Sequence, residues 1–266
     1  MNEKVFENIG YSDSDPYEFN NKPVLIFLHA FFMDKRMFKN QVKYFKSRYR
    51  VICIDVRGFG DSVNNGESFN LYDLANDVIT VANSLGINKF YICGLSMGGY
   101  IAMRLGLIYP ERLSGMVLMA TQADVDKPEI INTYLFLRDN WNNKEIKSRM
   151  IDGLLPVIIG ENKDEQNFWR TAWFLRDFDS IYHAMNAMIY RDDISDKLSE
   201  CKFPVLILHG ENDHGILPKA GKRIHKIIKG STLVIIPQAS HALNISHNEN
   251  VNNEIDKWLD NLVSSD

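Results

Sequence analysis

The chain has 266 residues, of which 45% are hydrophobic and 24% charged, and its 30 Lys and Arg against 34 Asp and Glu leave a net charge of −4. That composition excludes a disordered, collagen-like or low-complexity chain. The slight acidic excess argues against nucleic acid or an anionic membrane as the main partner, because phosphate binding needs an excess of Lys and Arg.

The length fits one large domain, or one domain carrying a sizeable insertion. Cys53, Cys93 and Cys201 are too few and too scattered for a disulfide framework. Each adjoins an apolar run and reads as a small buried hydrophobe. Residues 1–10 hold no apolar core of signal-peptide length, and no window approaches the ~18 consecutive apolar residues of a membrane helix. The expected compartment is therefore the cytoplasm.

In chain order, short runs that are apolar on both faces alternate with amphipathic patterns. Residues 24–28 (VLIFL) read as a buried strand, followed by a helix with Phe38, Val42 and Phe45 on one face. Residues 51–54 form the next strand. Leu71, Leu74, Val78 and Val81 then recur at helical spacing, and Leu85-Gly86 supplies a stop. Strands at 90–93, 116–119, 205–208 and 233–236 follow, with a helix over 100–109 after the third of the six strands. Runs apolar on both faces are what a parallel sheet covered by helices requires. The predicted fold class is α/β, with a mostly parallel, doubly wound sheet built from right-handed βαβ units.

The alternation breaks once. Residues 123–196 offer no strand run, only helical patterns rich in aromatics such as Tyr134, Phe136, Trp141, Phe168, Trp169, Trp173 and Phe174. They read as a helical cap inserted into a core made of residues 1–122 and 197–266, since structureless loops of that length are rare. The late helix over 219–229 carries Lys222, Arg223, Lys226 and Lys229 and reads as a solvated basic face.

The strongest chemical signal is Gly94-Leu95-Ser96-Met97-Gly98-Gly99, between a strand and a helix. A serine presented on so tight a strand-to-helix turn needs near-bare neighbours two residues before and after it, and Gly94 and Gly98 meet that need. The serine would stand at the carboxyl end of its strand, where ligands bind in such sheets. A serine is inert without a base, and the base needs an orienting carboxylate. His241, just past the strand at 233–236, and Asp213, just past the strand at 205–208, are the best candidates. His214 and His247 are rival bases and Asp124 a rival acid, but none has as good a position. Two backbone N–H groups should serve a developing oxyanion: that of Met97, and that of Phe31 in the loop after the first strand. Phe31 and Phe32 can also wall a pocket. No His, Cys and Asp cluster has zinc-ligand spacing, so no metal and no organic cofactor is expected.

With these residues in place the chain resembles the α/β-hydrolase superfamily over nearly its whole length, and in particular its capped serine esterases of haloperoxidase and carboxylesterase type. The matching pieces are His29-Ala30, the run from Asp55 to Ser62, the serine turn, His209-Gly210-x-x-Asp213 and Ser240-His241. The resemblance implies that the Asp55–Ser62 loop is scaffold, with Asp55 and Arg57 a structural ion pair. It also implies that Ala184-Met185 and Arg191-Asp192 belong to the segment returning from the cap. Two departures stand out. Ala30 replaces the usual glycine after the first His and narrows the oxyanion loop by a methyl, and Ser240 replaces the usual glycine before the base.

A serine rather than an aspartate nucleophile counts against the haloalkane dehalogenases and epoxide hydrolases of this fold. Leu95, where meta-cleavage-product hydrolases often have Asn, counts against that class. What remains is hydrolysis of a small-molecule carboxylic ester through an acyl-serine, with an apolar acyl group suited to the aromatic cap. Trp169, Trp173, Phe174 and Met185, with Phe32, are the candidate pocket residues. Lactones, thioesters and acyl-carrier-protein esters are alternatives within the chemistry. A hydrolase-like receptor with little turnover and a lyase are alternatives outside it. The sequence is silent on oligomeric state.

Overall fold

A computed structural model describes residues 2–16 and 22–263. Its strands are β1 (Asn2–Phe6), β2 (Ile9–Asp13), β3 (Val24–Leu28), β4 (Arg50–Ile54), β5 (Phe90–Leu95), β6 (Leu113–Met119), β7 (Val205–Gly210) and β8 (Thr232–Ile236). They form one sheet in the order β1-β2-β4-β3-β5-β6-β7-β8. From β4 to β8 all neighbours are parallel, whereas β1 and β2 form an antiparallel hairpin added to β4. The sheet core is built from the runs that are apolar on both faces: Leu25–Leu28, Ile92 and Cys93, Met116–Met119 and Leu206–Leu208 are all almost fully buried.

The hairpin is an element the strand pattern does not announce. Its turn places Glu7 and Asn8 at φ of 46° and 67°. That geometry normally selects Asn-Gly, and β1 is largely exposed.

Around the sheet lie α1 (Lys39–Phe45), α2 (Leu71–Ser84), α3 (Met97–Ile108), α8 (Lys219–Ile227), α9 (Leu243–Ser246) and α10 (Asn248–Val263). Asn70 caps α2 in a capping box with Asp73, and Gly86, at φ 67°, follows its end. Between β6 and β7 the described residues supply α4 (Pro128–Asp139), α5 (Lys144–Ile159), α6 (Lys163–Phe174) and α7 (Phe178–Ile189), and no strand. Entry to and exit from this insertion are stitched together. Buried Arg191 bonds the Asp126 carboxylate at 2.8 Å and the Asp124 carbonyl at 2.8 Å. Asp192 pairs with Arg104 of α3 at 2.7 Å.

Asp55 and Arg57 are not paired with each other. Buried Asp55 takes Lys35 at 2.7 Å, and Lys35 also bonds Asp61. Arg57 forks onto Asp77 of α2 at 2.6 and 2.7 Å. The Asp55 carboxylate also occupies the space where a Cβ on Gly60 would stand. Among the described residues no helix is long and apolar enough to cross a membrane.

Candidate active site

Strand order reverses between β3 and β5, the place where sheets of this kind form their ligand-binding crevice, between the loops leaving the carboxyl ends of the strands. Ser96 stands on the β5 side of it, between the last residue of β5 and the first of α3. Its φ of 55° and ψ of −114° are rare for any residue with a side chain. Such a conformation costs about 1–3 kcal/mol and persists only where the surroundings impose it. Here they do. The Ser96 N–H donates to Met119 at 2.9 Å, and its carbonyl accepts from Gly99, Tyr100 and the Thr121 hydroxyl at 2.9, 3.1 and 2.9 Å. A Cβ on Gly94 would lie 2.5 Å from the Gly98 carbonyl carbon, and one on Gly98 would lie 2.6 Å from that of Leu28. The glycine spacing is therefore a steric requirement of the turn. Ser96 is almost buried, and no hydrogen bond to its hydroxyl is formed among the described residues. What sets Ser96 apart is its backbone conformation.

Asp213 and His241 meet. His241 Nδ1 lies 3.0 and 2.9 Å from the two carboxylate oxygens. Asp213 Oδ1 also accepts the N–H groups of Gly215 and Ile216 at 2.8 and 2.9 Å. The loops carrying the two residues are tied together, Glu211 N–H to Ile236 and Asn212 N–H to Ala239, both at 2.9 Å. Burial by itself would raise the Asp213 pKa. The His241 ring, the hydrogen bonds from His209 and His241 and the Ile216 N–H outweigh it and hold the carboxyl well below its usual range. Asp213 is thus held as an anion against the Nδ1 edge of the His241 ring.

A second histidine reaches the same carboxylate, which the sequence motif did not reveal. His209, fully buried at the end of β7, places Nε2 at 3.2 Å from Asp213 Oδ2 while donating to the Ile216 carbonyl at 2.7 Å. Gly221 of α8 makes room for this ring, since a Cβ there would lie 2.8 Å from His209 Nδ1. The rivals do not join this pair. His214 is exposed, His247 bonds Ser246, and Asp124 pairs with Arg223.

On the β3 side, His29 is a wholly buried neutral spacer. Its Nδ1 donates to the Ala30 carbonyl and its Nε2 accepts the Val56 N–H, both at 2.8 Å, and burial lowers its pKa. The chain then turns through Ala30–Phe31–Phe32–Met33, closed by Met33 N–H to Ala30 O at 3.1 Å. Phe31 is the second residue of that turn, so its N–H is not used in closing it. Met97 is the first residue of α3, so its N–H has no acceptor within the helix. Phe32 takes φ 68° at the position where such turns prefer glycine. Its ring stacks with those of Trp141 and Trp173, with centroids 5.3 and 5.2 Å away.

The insertion touches both flanks of the crevice. Ile158 of α5 accepts the Ala242 N–H at 2.8 Å, next to His241. Arg176, between α6 and α7, bonds Asp34 at 2.7 Å and the Met33 carbonyl at 3.2 Å. Trp173 and Met185 are fully buried and Phe174 half-buried. Trp169 lines a separate hollow of about 340 Å³ with Arg36, Met37, Lys39, Val42 and Phe168.

A family model described as the alpha/beta hydrolase fold matches residues 23–248. The chain belongs to the α/β-hydrolase family. A 3-oxoadipate enol-lactonase of Acinetobacter baylyi is 25% identical to this α/β-hydrolase over 251 residues, 89% of this chain and 88% of the relative. A pimeloyl-[acyl-carrier protein] methyl ester esterase of Aeromonas hydrophila is 26% identical over 86% of this chain and 92% of its own. Among solved structures, a thermophilic esterase from Thermogutta terrifontis superposes with a TM-score of 0.86 at 26% identity, covering 96% of this α/β-hydrolase and 93% of that chain.

Proposed function

We propose that this α/β-hydrolase cleaves carboxylic esters of small to medium apolar acyl groups through an acyl-enzyme on Ser96. The observation that carries the reading is the strained, backbone-held Ser96 at one strand end, with an anion-locked His241–Asp213 pair at the ends of β7 and β8 on the same side of the sheet.

His241 Nε2 takes the proton as Ser96 Oγ attacks the ester carbonyl. The carbonyl electrons move to oxygen, where the N–H groups of Phe31 and Met97 receive them. When the carbonyl re-forms, the C–O bond to the alcohol breaks, and His241 returns the proton to that oxygen. Water then repeats the cycle on acyl-Ser96, losing a proton to His241 and releasing the acid as the proton returns to Ser96. Every group needed is supplied by the chain, so no cofactor enters. The residues 123–196 act as the cap. Phe32, Trp173, Phe174 and Met185 form the apolar wall, and roofing the serine keeps out water. Trp169 lines the separate hollow, with none of these four residues, and is not part of this wall.

The enol-lactonase relative favours a second reading of the same machinery. A lactone is an internal ester, and the alcohol it releases stays on the product. A panel of p-nitrophenyl esters and lactones of graded chain length separates the two. The S96A variant must lose all turnover in either case, and turnover that survives S96A removes the reading.

A further inference from the structure

The loop that offers the Phe31 N–H is held from outside the core. Phe32 sits in a backbone conformation that a phenylalanine rarely adopts, directly after the donor. Three things constrain the segment it belongs to, and all three reach it through the insertion. The rings of Trp141 and Trp173 both stack against the Phe32 ring. The Trp173 indole N–H lies 3.4 Å from the Met33 sulfur. The Arg176 guanidinium lies against the Phe32 carbonyl at 3.4 Å, the Met33 carbonyl at 3.2 Å and the Asp34 carboxylate at 2.7 Å.

Arg176 is itself well anchored. Its carbonyl accepts from Trp141 Nε1 and from Lys147 Nζ, both at 2.9 Å. Its guanidinium carbon lies 5.3 Å from the centre of the Phe59 ring. A planar fork can hold two carbonyls and a carboxylate at once. An ammonium, with one nitrogen, cannot match that geometry.

We propose that Arg176 is a positioning residue for the hydrolytic reaction. By clamping Phe32–Asp34 it sets the direction of the Phe31 N–H, so that the insertion completes the oxyanion hole as well as covering it. The inference rests on the reading of Ser96 and Phe31 given above. It makes a cap residue that meets no substrate a determinant of kcat. A change that loosens the cap should slow the chemistry even for substrates too short to touch it.

The test uses R176M, which keeps the apolar stem and removes every donor, and R176K as the conservative variant. A third, R176A, is assayed with and without ethylguanidinium. Each is assayed on p-nitrophenyl acetate and butyrate beside wild type and S96A, with Tm measured alongside. Removing an oxyanion donor costs about 10²–10³-fold in kcat. A donor that is only misdirected should cost about 10–100-fold. The expected result is that loss in kcat for R176M on both esters, with KM within about twofold. R176K should fall between R176M and wild type, and ethylguanidinium should partly restore R176A. Wild-type kcat in R176M or R176K with only a lower Tm makes the arginine merely structural and overturns the inference. A raised KM at constant kcat does the same, by making it a substrate contact. Inactive wild type, or S96A that still turns over, is distinguishable from both, because it sinks the reading of Ser96 itself. If R176M does not fold, R176K and the rescue of R176A decide the matter.

Discussion

Replacing Gly98 by alanine should weaken the protein, whereas the same replacement at Gly153 should strengthen it. At Gly98 a Cβ would stand 2.6 Å from the Leu28 carbonyl carbon and 2.9 Å from the His29 oxygen, and closer still to the Leu28 oxygen. Comfortable contact between such atoms begins near ~3.5 Å, and the Leu28 oxygen is the nearest, so the end of β3 or the start of α3 must move by more than about 1 Å. Both obstacles are backbone, and neither can swing aside. Overpacking costs about 1–3 kcal/mol, and two rigid walls put Gly98→Ala at the upper end, about 3 kcal/mol. In a domain of this size that lowers Tm by roughly 6–12 °C. Leu28 and His29 lead directly into the turn that offers the Phe31 N–H, so kcat should fall with stability. Gly153 lies on the exposed face of α5 with nothing within 4 Å of where a Cβ would go. Alanine there gains about 0.5–1 kcal/mol of helix propensity. Thermal and urea unfolding of the two variants, with kcat on a p-nitrophenyl ester, are the measurements. A G98A protein whose Tm stays within about 2 °C of wild type would refute the claim that the serine turn has no slack.

Three further outcomes follow from the same contacts. Asp34 is held at about 2 against its ordinary 3.8: burial opposes this, but hydrogen bonds and charge from Arg36 and Arg176 prevail. A folded pKa below the unfolded one means that the stabilisation, about 2 kcal/mol, is present above pH ~4 and is lost as the pH falls toward 2. Urea midpoints should drop over that interval in wild type and be flatter in Asp34→Asn, and parallel curves would contradict the assignment. His209→Gln should lower kcat about tenfold at unchanged KM, because a hydrogen bond to a charged group is worth about 1.5–3 kcal/mol and part of it is recovered by the amide; unchanged kcat would make His209 only a packing residue. Trp173→Ala should shift kcat/KM toward longer acyl chains by enlarging the wall beside Phe32, and an unmoved chain-length profile in folded protein would take Trp173 out of the pocket.

Much of the fold was legible because parallel strands buried on both faces leave apolar runs that no other element explains. β3 to β7 were readable on that ground, and β8 by its apolar run alone, since at the sheet edge only its Ile236 is buried. The hairpin β1–β2 was not, since its turn uses Glu7-Asn8 and its outer strand is too exposed to carry a pattern. The serine turn could be read from Gly94 and Gly98 because the constraint there is local. Partner choice in ion pairs is not local. Asp55 and Arg57 are two residues apart, yet each takes its partner 20 residues away, Lys35 and Asp77. The contacts of His209 and Arg176 escaped because each depends on a residue from another element. One reaches Asp213 only because Gly221 leaves space for its ring. The other meets Asp34 across a separation of 142 residues.

The central claim, that Ser96 is the nucleophile made competent by His241, is tested most directly by covalent trapping. The protein is treated with an alkyl fluorophosphonate, and the modified peptide is identified by mass spectrometry. The account predicts one adduct, on Ser96. S96A should take up no label, and H241A should label more slowly by about 10³-fold or more. An adduct on another residue, or wild-type labelling in H241A, would contradict it.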